Sequence, residues 1–132
     1  MITFVTSYLF PENHHHVYAE FYFENLIGLC KEKLKLVLFV YAEDEKWIRQ
    51  KILETDGTTM PFIYPIQKKQ LDIWNLIHDD MTLELPKNRN AEKDNREHLW
   101  KTHISIELVN LAINTNIYRT SHFAWISHYV YY

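Results

Sequence analysis

The sequence predicts an α/β domain in which a mostly parallel sheet of about four strands is flanked by helices. Short apolar runs rich in β-branched and aromatic residues alternate along the chain with segments in which apolar residues recur every three or four positions. The first run, the helix after it and the second run span about 40 residues, the length of a βαβ unit, and the crossover rule makes their strands parallel.

Composition limits the class of protein. The 132 residues are 47% hydrophobic and 15% aromatic, which is enough apolar material for a single domain covering residues 1–132. A formal net charge of -3 without a basic cluster disfavours nucleic acid as a partner. Glycine-rich phosphate loops are absent, and so is any run near the roughly 18 apolar residues of a membrane span. The single cysteine, Cys30, fits a reducing compartment, so we expect a cytoplasmic protein.

Residues 2–10 form a nearly continuous apolar run, which predicts an interior strand. Its end carries Thr6, Ser7 and Tyr8, where an open α/β sheet places its ligand crevice, just beyond the carboxyl ends of the strands. The alternative is that these hydroxyls only cap a turn, and the residues by themselves favour it.

Three adjacent histidines follow, His14, His15 and His16. Consecutive side chains point in different directions on a helix or a strand, so such a triplet seldom supplies three ligands to one ion. We expect a solvated loop with Asn13 as the cap of the next helix, and a metal site is the alternative.

The next helix and strand complete the first βαβ unit. Residues 17–33 are amphipathic, and Tyr18, Phe21, Tyr22, Asn25, Leu26 and Leu29 make up the predicted inner face. Residues 36–41 contain no charge and predict a second buried strand. Glu43, Asp44 and Glu45 then begin a helix, where acids favour the helix dipole. Alternatively, Glu43 or Asp44 holds a ribose hydroxyl.

The middle of the chain predicts one more helix, strand and helix. Residues 46–53 form a short helix with Trp47 inward, and residues 61–66 form a strand. Pro61 and Pro65 lack amide donors, which places that strand at a sheet edge. Residues 71–78 predict a third helix, and the polar residues 81–95 predict a surface loop.

The last third predicts a long helix over residues 93–113 and a strand over 121–126, together forming the centre of the domain. Two helix faces are apolar, which predicts a helix packed between layers. The first holds Trp100, Ile104, Leu108 and Leu111, and the second holds Ile106, Val109 and Ile113. A polar line of His103, Glu107, Asn110 and Asn114 either meets water or lines a site.

At the start of this helix stand Lys93, Asp94 and Arg96. A helix amino terminus with two cations suits an anionic diphosphate. The alternative is that Asp94 or Asn95 caps the helix and the cations are solvated.

The last third of the chain also contains a pattern of residues typical of one family: Lys93, Asp94, Glu107, Leu108, Val109, Ala112, Asn116, Phe123, Ala124, Trp125 and Ile126. Through these residues the chain resembles the HtrL/YibB-like family, which is glycosyltransferase-like and has relatives in bacteria and large DNA viruses. Two positions depart from the family pattern. Ser105 stands in place of a helix lysine, and the acid after Trp125-Ile126 is absent, with Ser127 in its place or a few residues missing before Ser127-His128.

The resemblance implies the nucleotide-binding half of a GT-A type glycosyltransferase, located in the host cytoplasm if the protein is viral. It implies a residual nucleotide-sugar pocket formed by Thr6, Tyr8, Glu43, Lys93 and Asp94. Such enzymes use Mn²⁺ or Mg²⁺ to neutralise the leaving diphosphate, and the missing acid at Ser127 weakens that metal site and catalysis. The chain also ends where such enzymes begin their acceptor-binding half.

Two other hypotheses remain open. The first is an interaction module without chemistry, which docks on a protein partner or a second copy through the aromatic segment Tyr129, Val130, Tyr131 and Tyr132. The second is a metal hydrolase that uses His103, Glu107 and either His128 or a histidine of the triplet.

Overall fold

The computed structural model describes residues 1–10, 19–78 and 103–127, which form a four-stranded parallel sheet flanked by helices. The strands are β1 (Ile2–Tyr8), β2 (Leu36–Tyr41), β3 (Phe62–Ile66) and β4 (His122–Trp125). The helices are α1 (Ala19–Lys31), α2 (Glu45–Glu54), α3 (Asp72–His78) and α4 (Ser105–Thr115). The strand order is β3-β2-β1-β4, so the predicted fold class is confirmed. Among these helices, none is long and apolar enough to cross a bilayer.

Strand β2 has all six residues buried, which explains why its sequence contains no charge. Its alternate side chains supply two separate hydrophobic cores. Val37, Phe39 and Tyr41 pack in the core beneath α3 and α4. The side chains of Leu36, Leu38 and Val40 pack against α1 and α2 on the other face. The neighbouring strand β1 pairs with β2 on one side and β4 on the other, so the prediction of an interior first strand is confirmed.

Helix α1 covers one face of the sheet, but the residues that it turns towards the sheet differ slightly from the predicted ones. Leu26 and Cys30 are buried, and Phe23 packs against the same core. Phe21, predicted to face inward, is 39% exposed. The reason is its spacing: Phe23 continues the helical intervals of three and four residues that lead to Leu26 and Cys30, whereas Phe21 lies on another side of the helix.

Strand β3 occupies one end of the sheet, as the prolines predicted. It pairs with β2 in parallel register, with Ile63 opposite Leu38, and Pro65 is exposed. The turn that precedes it contains Gly57 at φ 81, a left-handed conformation that a glycine adopts without steric cost.

Helix α4 and strand β4 lie differently from the prediction. The helix buries Leu108 and Ala112 against the sheet, but Ile106 is 82% exposed and Ile113 is 45% exposed. Within the described parts of the chain, the helix is therefore covered on one face, and Ile106 and Ile113 of the second predicted face are exposed. Within the described sheet β4 is the end strand and its side chains are at most half-buried, so β1 and β2 form the centre instead. An apolar pattern marks the faces of a helix, but it does not say how many layers cover them.

The connection from α4 to β4 is fixed by one asparagine. Asn116 ends the helix in the left-handed conformation at φ 39. Its amide Nδ2 donates to the carbonyl of Thr120 at 3.2 Å, and its Oδ1 accepts from the amide of Thr120 at 3.0 Å. The hydroxyl of Thr120 then makes a buried hydrogen bond with Thr3 of β1. This chain of contacts sets where β4 begins beside β1.

We expect Asn116→Ala to lower the free energy of unfolding by about 1–3 kcal/mol, because it removes two hydrogen bonds and a residue suited to the left-handed region. Urea unfolding at 25 °C measures the effect. Asn114→Ala is the matched control, since Asn114 is exposed on the same helix, and it should change stability by less than about 0.5 kcal/mol. Equal losses in the two variants would contradict this role of Asn116.

Candidate functional site

The order of the strands indicates where a ligand would bind. The chain passes from β1 to β2 to β3 in one direction and then returns to place β4 on the other side of β1. In open α/β sheets, ligands bind beyond the carboxyl ends of the strands at the point where the order reverses. In this chain that point lies between the ends of β1 and β4, which lead into Leu9 and Ile126. The carboxyl edge of the sheet is therefore the candidate site.

Thr6 links β1 and β4, the two strands on either side of this switch point. Its hydroxyl donates to the carbonyl of Ile126 at 2.7 Å, and the amide of Ile126 donates to the carbonyl of Val5 at 2.8 Å. The side chain of Thr6 is fully buried. This hydrogen bond joins the two strands, so Thr6 sets the position of the end of β4 instead of presenting its hydroxyl to solvent.

Tyr8 is also a buried residue, with 3% of its surface exposed. Its hydroxyl donates to the carbonyl of Ala19 at 3.0 Å, at the start of α1. Its ring meets those of Phe23 and Trp47 edge to face, at centroid distances of 5.2 and 6.1 Å. Burial, and then the nearby Asp44 carboxylate, raise the pKa of Tyr8 to about 12. Tyr8 is therefore a neutral hydrogen-bond donor that anchors α1 to the end of β1.

The acids after β2 occupy different environments. A 3-10 turn, Ala42–Asp44, places Glu43 on the exposed surface, whereas Asp44 is 6% exposed. Asp44 accepts a hydrogen bond from the indole Nε1 of Trp47 at 3.0 Å, so its carboxylate is held in a fixed orientation. A carboxylate fixed at the end of a central strand can accept hydrogen bonds from ligand hydroxyls. The sequence left the choice between Glu43 and Asp44 open, and it did not identify Trp47 as a partner of the acid.

A cation at the same edge was not predicted. Lys68, two residues beyond β3, places its ammonium 5.1 Å from the ring centroid of Tyr41, the last residue of β2. Such a cation–π contact keeps a positive charge beside the strand ends. The available sequence signal was the position of Lys68 directly after a predicted strand.

Several predicted residues lie outside the described parts of the chain. Among them are the cations and acid at the predicted helix start, Lys93, Asp94 and Arg96. The histidine triplet, the loop over residues 81–95, His128 and the aromatic segment over residues 129–132 also lie outside. Ser127 is described: it follows β4 at the carboxyl edge and is exposed.

The polar line of His103, Glu107, Asn110 and Asn114 divides into two roles. Glu107 accepts hydrogen bonds from the amides of Asp72 and Ile73, at 2.8 Å to Oε2 and 2.9 Å to Oε1, and thereby caps α3. His103, Asn110 and Asn114 are exposed to water. Across residues 1–10, 19–78 and 103–127, no cluster of three or more His, Cys, Asp or Glu could hold a metal ion.

These observations define a doubly wound α/β domain whose candidate ligand site is the carboxyl edge of its sheet. Comparisons with known protein families, with curated proteins and with solved structures found no match for this chain. Membership of the HtrL/YibB-like family therefore stays a prediction from the residues of the last third.

We expect alkaline pH to destabilise the protein partly through Tyr8. Its folded-state pKa of about 12 lies above the usual tyrosine pKa of 10.0, so its contribution to stability is complete below pH 10 and is lost as pH rises towards 12. Tyr8→Phe cannot ionise, and its unfolding free energy should fall less between pH 9 and pH 11 than that of the wild type, as measured by urea unfolding. Parallel pH dependences in the two proteins would contradict the assignment.

Glu107→Ala should lower the unfolding free energy by about 1–2 kcal/mol, because two amides of α3 lose their acceptors. The exposed residue His103 serves as the control, and His103→Ala should have almost no effect on urea unfolding. If Zn²⁺ stabilised the wild type and both variants abolished that stabilisation, the metal-hydrolase hypothesis would replace the capping role.

Proposed function

We propose that this chain is a glycosyltransferase-like domain of the HtrL/YibB-like type, and that it binds a nucleotide-diphosphate sugar at the carboxyl edge of its sheet. The observation that carries the proposal is the reversal of strand order between β1 and β4. The strands are parallel, so the end of β1, the acids after β2 and Ser127 lie at the same edge as this switch point. The residues that match the family pattern in the last third of the chain add to this argument.

The pocket would use three kinds of contact. Asp44, with its carboxylate oriented by Trp47, is suited to accept ribose hydroxyls, and the exposed Glu43 lies next to it. Lys93 at the predicted helix start, together with Asp94, would meet the diphosphate. Thr6 and Tyr8 would support the pocket without contacting the ligand, because Thr6 fixes the end of β4 and Tyr8 fixes the start of α1.

The described residues at the end of β4 do not fit a strong Mn²⁺ or Mg²⁺ site. Ser127 offers a neutral hydroxyl, which is a poorer ligand for these hard cations than a carboxylate. Asp44 follows β2 instead of β4, and its Oδ1 already accepts a hydrogen bond from the indole of Trp47. We therefore propose donor binding with weakened or lost sugar transfer.

The second candidate is a non-enzymatic interaction module that docks through Tyr129, Val130, Tyr131 and Tyr132. The exposed isoleucines of α4, Ile106 and Ile113, favour it, because apolar surface left in water is typical of interaction sites.

The main experiment is a thermal-shift titration of the purified protein with UDP, GDP and their sugars, each with and without Mn²⁺. A ligand at about 100 times its dissociation constant stabilises a protein by about 2.7 kcal/mol, which is readily measured as a rise in Tm. We expect one nucleotide to raise Tm in the wild type. Asp44→Asn and Lys93→Ala should each weaken its apparent affinity about tenfold, a loss of about 1.4 kcal/mol.

Lys31→Ala is the control, since this exposed lysine ends α1 beside the opposite edge of the sheet, and it should not affect the shift. The absence of a shift with every nucleotide, or an equal effect of all three variants, would contradict the proposal. A shift with Zn²⁺ alone would support the hydrolase instead.

A further inference from the structure

The two ends of the described sheet differ in chemistry. Strand β3 carries the exposed Pro65, which has no amide hydrogen, and Pro61 precedes the strand. Proline at an edge blocks pairing with another strand, which is one way in which proteins prevent sheets from joining. The other end strand, β4, has the sequence HFAW, with no proline, lysine, arginine or acid. Within the described sheet, proline therefore protects the edge at β3, and the edge strand β4 contains no such residue.

The backbone of β4 presents regularly spaced groups at its outer side. The amide of Ile126 donates to Val5, and in a parallel ladder alternate residues face the same neighbour, so Ala124 also faces β1. The N–H and C=O groups of Phe123 and Trp125 consequently point away from β1. Within the described part of the chain, no strand pairs with that side. Two donors and two acceptors are therefore aligned for an extended strand.

We propose that β4 pairs in antiparallel fashion with β4 of a second copy of this chain, about a twofold axis that passes beside Ala124. In this register, Phe123 exchanges two backbone hydrogen bonds with Trp125 of the second copy. Because of the twofold symmetry, Trp125 exchanges another two with Phe123 of the second copy. The two four-stranded sheets then become one continuous sheet. Ala124 lies opposite its own copy in a non-hydrogen-bonded pair, where Cα atoms approach to about 4.5 Å and a small side chain fits best.

Three features favour a second copy over an unrelated strand. A twofold axis brings like residues together, and β4 contains no Lys, Arg, Asp or Glu that would repel its copy. The pairing sets Phe123 of one copy beside Trp125 of the other, an aromatic cross-strand pair on the face covered by α4. The third feature is the apolar flank of α4.

Helix α4 adds apolar surface beside the same edge. Glu107 marks the flank of α4 that contacts α3. Val109 and Ile113 lie on the opposite flank, and Ile113 is 45% exposed. The proposed axis is perpendicular to the sheet, so it places both α4 helices on one face with these flanks towards each other. The contact therefore covers Ile113 as well as the strand edge.

The first test is sedimentation equilibrium of the whole chain at concentrations up to on the order of 100 μM. We expect a reversible species of twice the 16.1 kDa chain mass. Ala124→Lys places two ammonium groups opposite each other at the axis and should weaken dimerisation at least about tenfold. Its far-ultraviolet circular dichroism and urea unfolding are measured alongside, so that loss of the dimer can be separated from loss of the fold.

Cross-linking then tests the register. Ala124→Cys should form an intermolecular disulfide under mild oxidation, because the proposed Cα separation lies within the disulfide range. His122→Cys is the matched control on the same strand. His122 and its copy are offset by four positions along the strands, about 14 Å, so this variant should not cross-link to itself.

A wild type that remains monomeric would overturn the proposal, and so would cross-linking of His122→Cys as efficient as that of Ala124→Cys. A dimer that persists in a folded Ala124→Lys variant would also overturn it. None of these results depends on nucleotide binding, so the outcome is independent of the proposed function.

Discussion

The parallel pairing of β1 with β2 determines how the other strands and helices must be placed. The two strands run in parallel from Phe4 opposite Leu36 to Tyr8 opposite Val40, and nearly all of their side chains are buried. Backbone groups in such a position are shielded from water, so they must bond to neighbouring strands. Both faces must also be covered, which requires helices on each side. Among the described residues, β3 and β4 extend the hydrogen-bonded sheet, and helices α1 to α4 cover its two faces and complete the two cores.

The candidate site follows from the same arrangement. Because all four strands are parallel, their carboxyl ends meet at one edge, and the return of the chain to β4 opens a switch point there. Hydrogen bonds from side chains fix the positions of the elements at this edge. Thr6 bonds to the end of β4, Tyr8 bonds to the start of α1, and Trp47 bonds to Asp44 and orients its carboxylate. Charged side chains that could contact a ligand, such as Glu43 and Lys68, follow the ends of β2 and β3 at the same edge.

Much of the fold was predictable because local patterns determine it. The uncharged run that forms β2 gave its exact limits of residues 36–41, and the prolines of β3 identified an edge strand. Longer-range features were not predictable in this way. The hydroxyl of Thr6 bonds a carbonyl 120 positions along the chain, and no local pattern encodes that contact. The location of β4 at an end of the sheet depends on strand order, which hydrophobic periodicity does not specify.

The candidate site was predicted only in part. Its place at the strand ends followed from fold class, but the separate environments of Glu43 and Asp44 depend on a single 3-10 turn. Glu43 and Asp44 are both carboxylic acids, so the sequence alone does not tell which one is exposed. That depends on the direction in which the turn points each side chain. The exposure of Ile106 was likewise hidden, since a periodic apolar face does not reveal whether another layer covers it.

Nucleotide binding at the carboxyl edge can be tested by titrating isotope-labelled protein with UDP and GDP while recording backbone amide chemical shifts. We expect the amides of Ser7, Glu43, Asp44 and Ser127 to shift together with one dissociation constant, because they share the carboxyl edge. Shifts confined to the opposite edge, at Lys35 and Ser121, or no shifts at millimolar nucleotide, would contradict it.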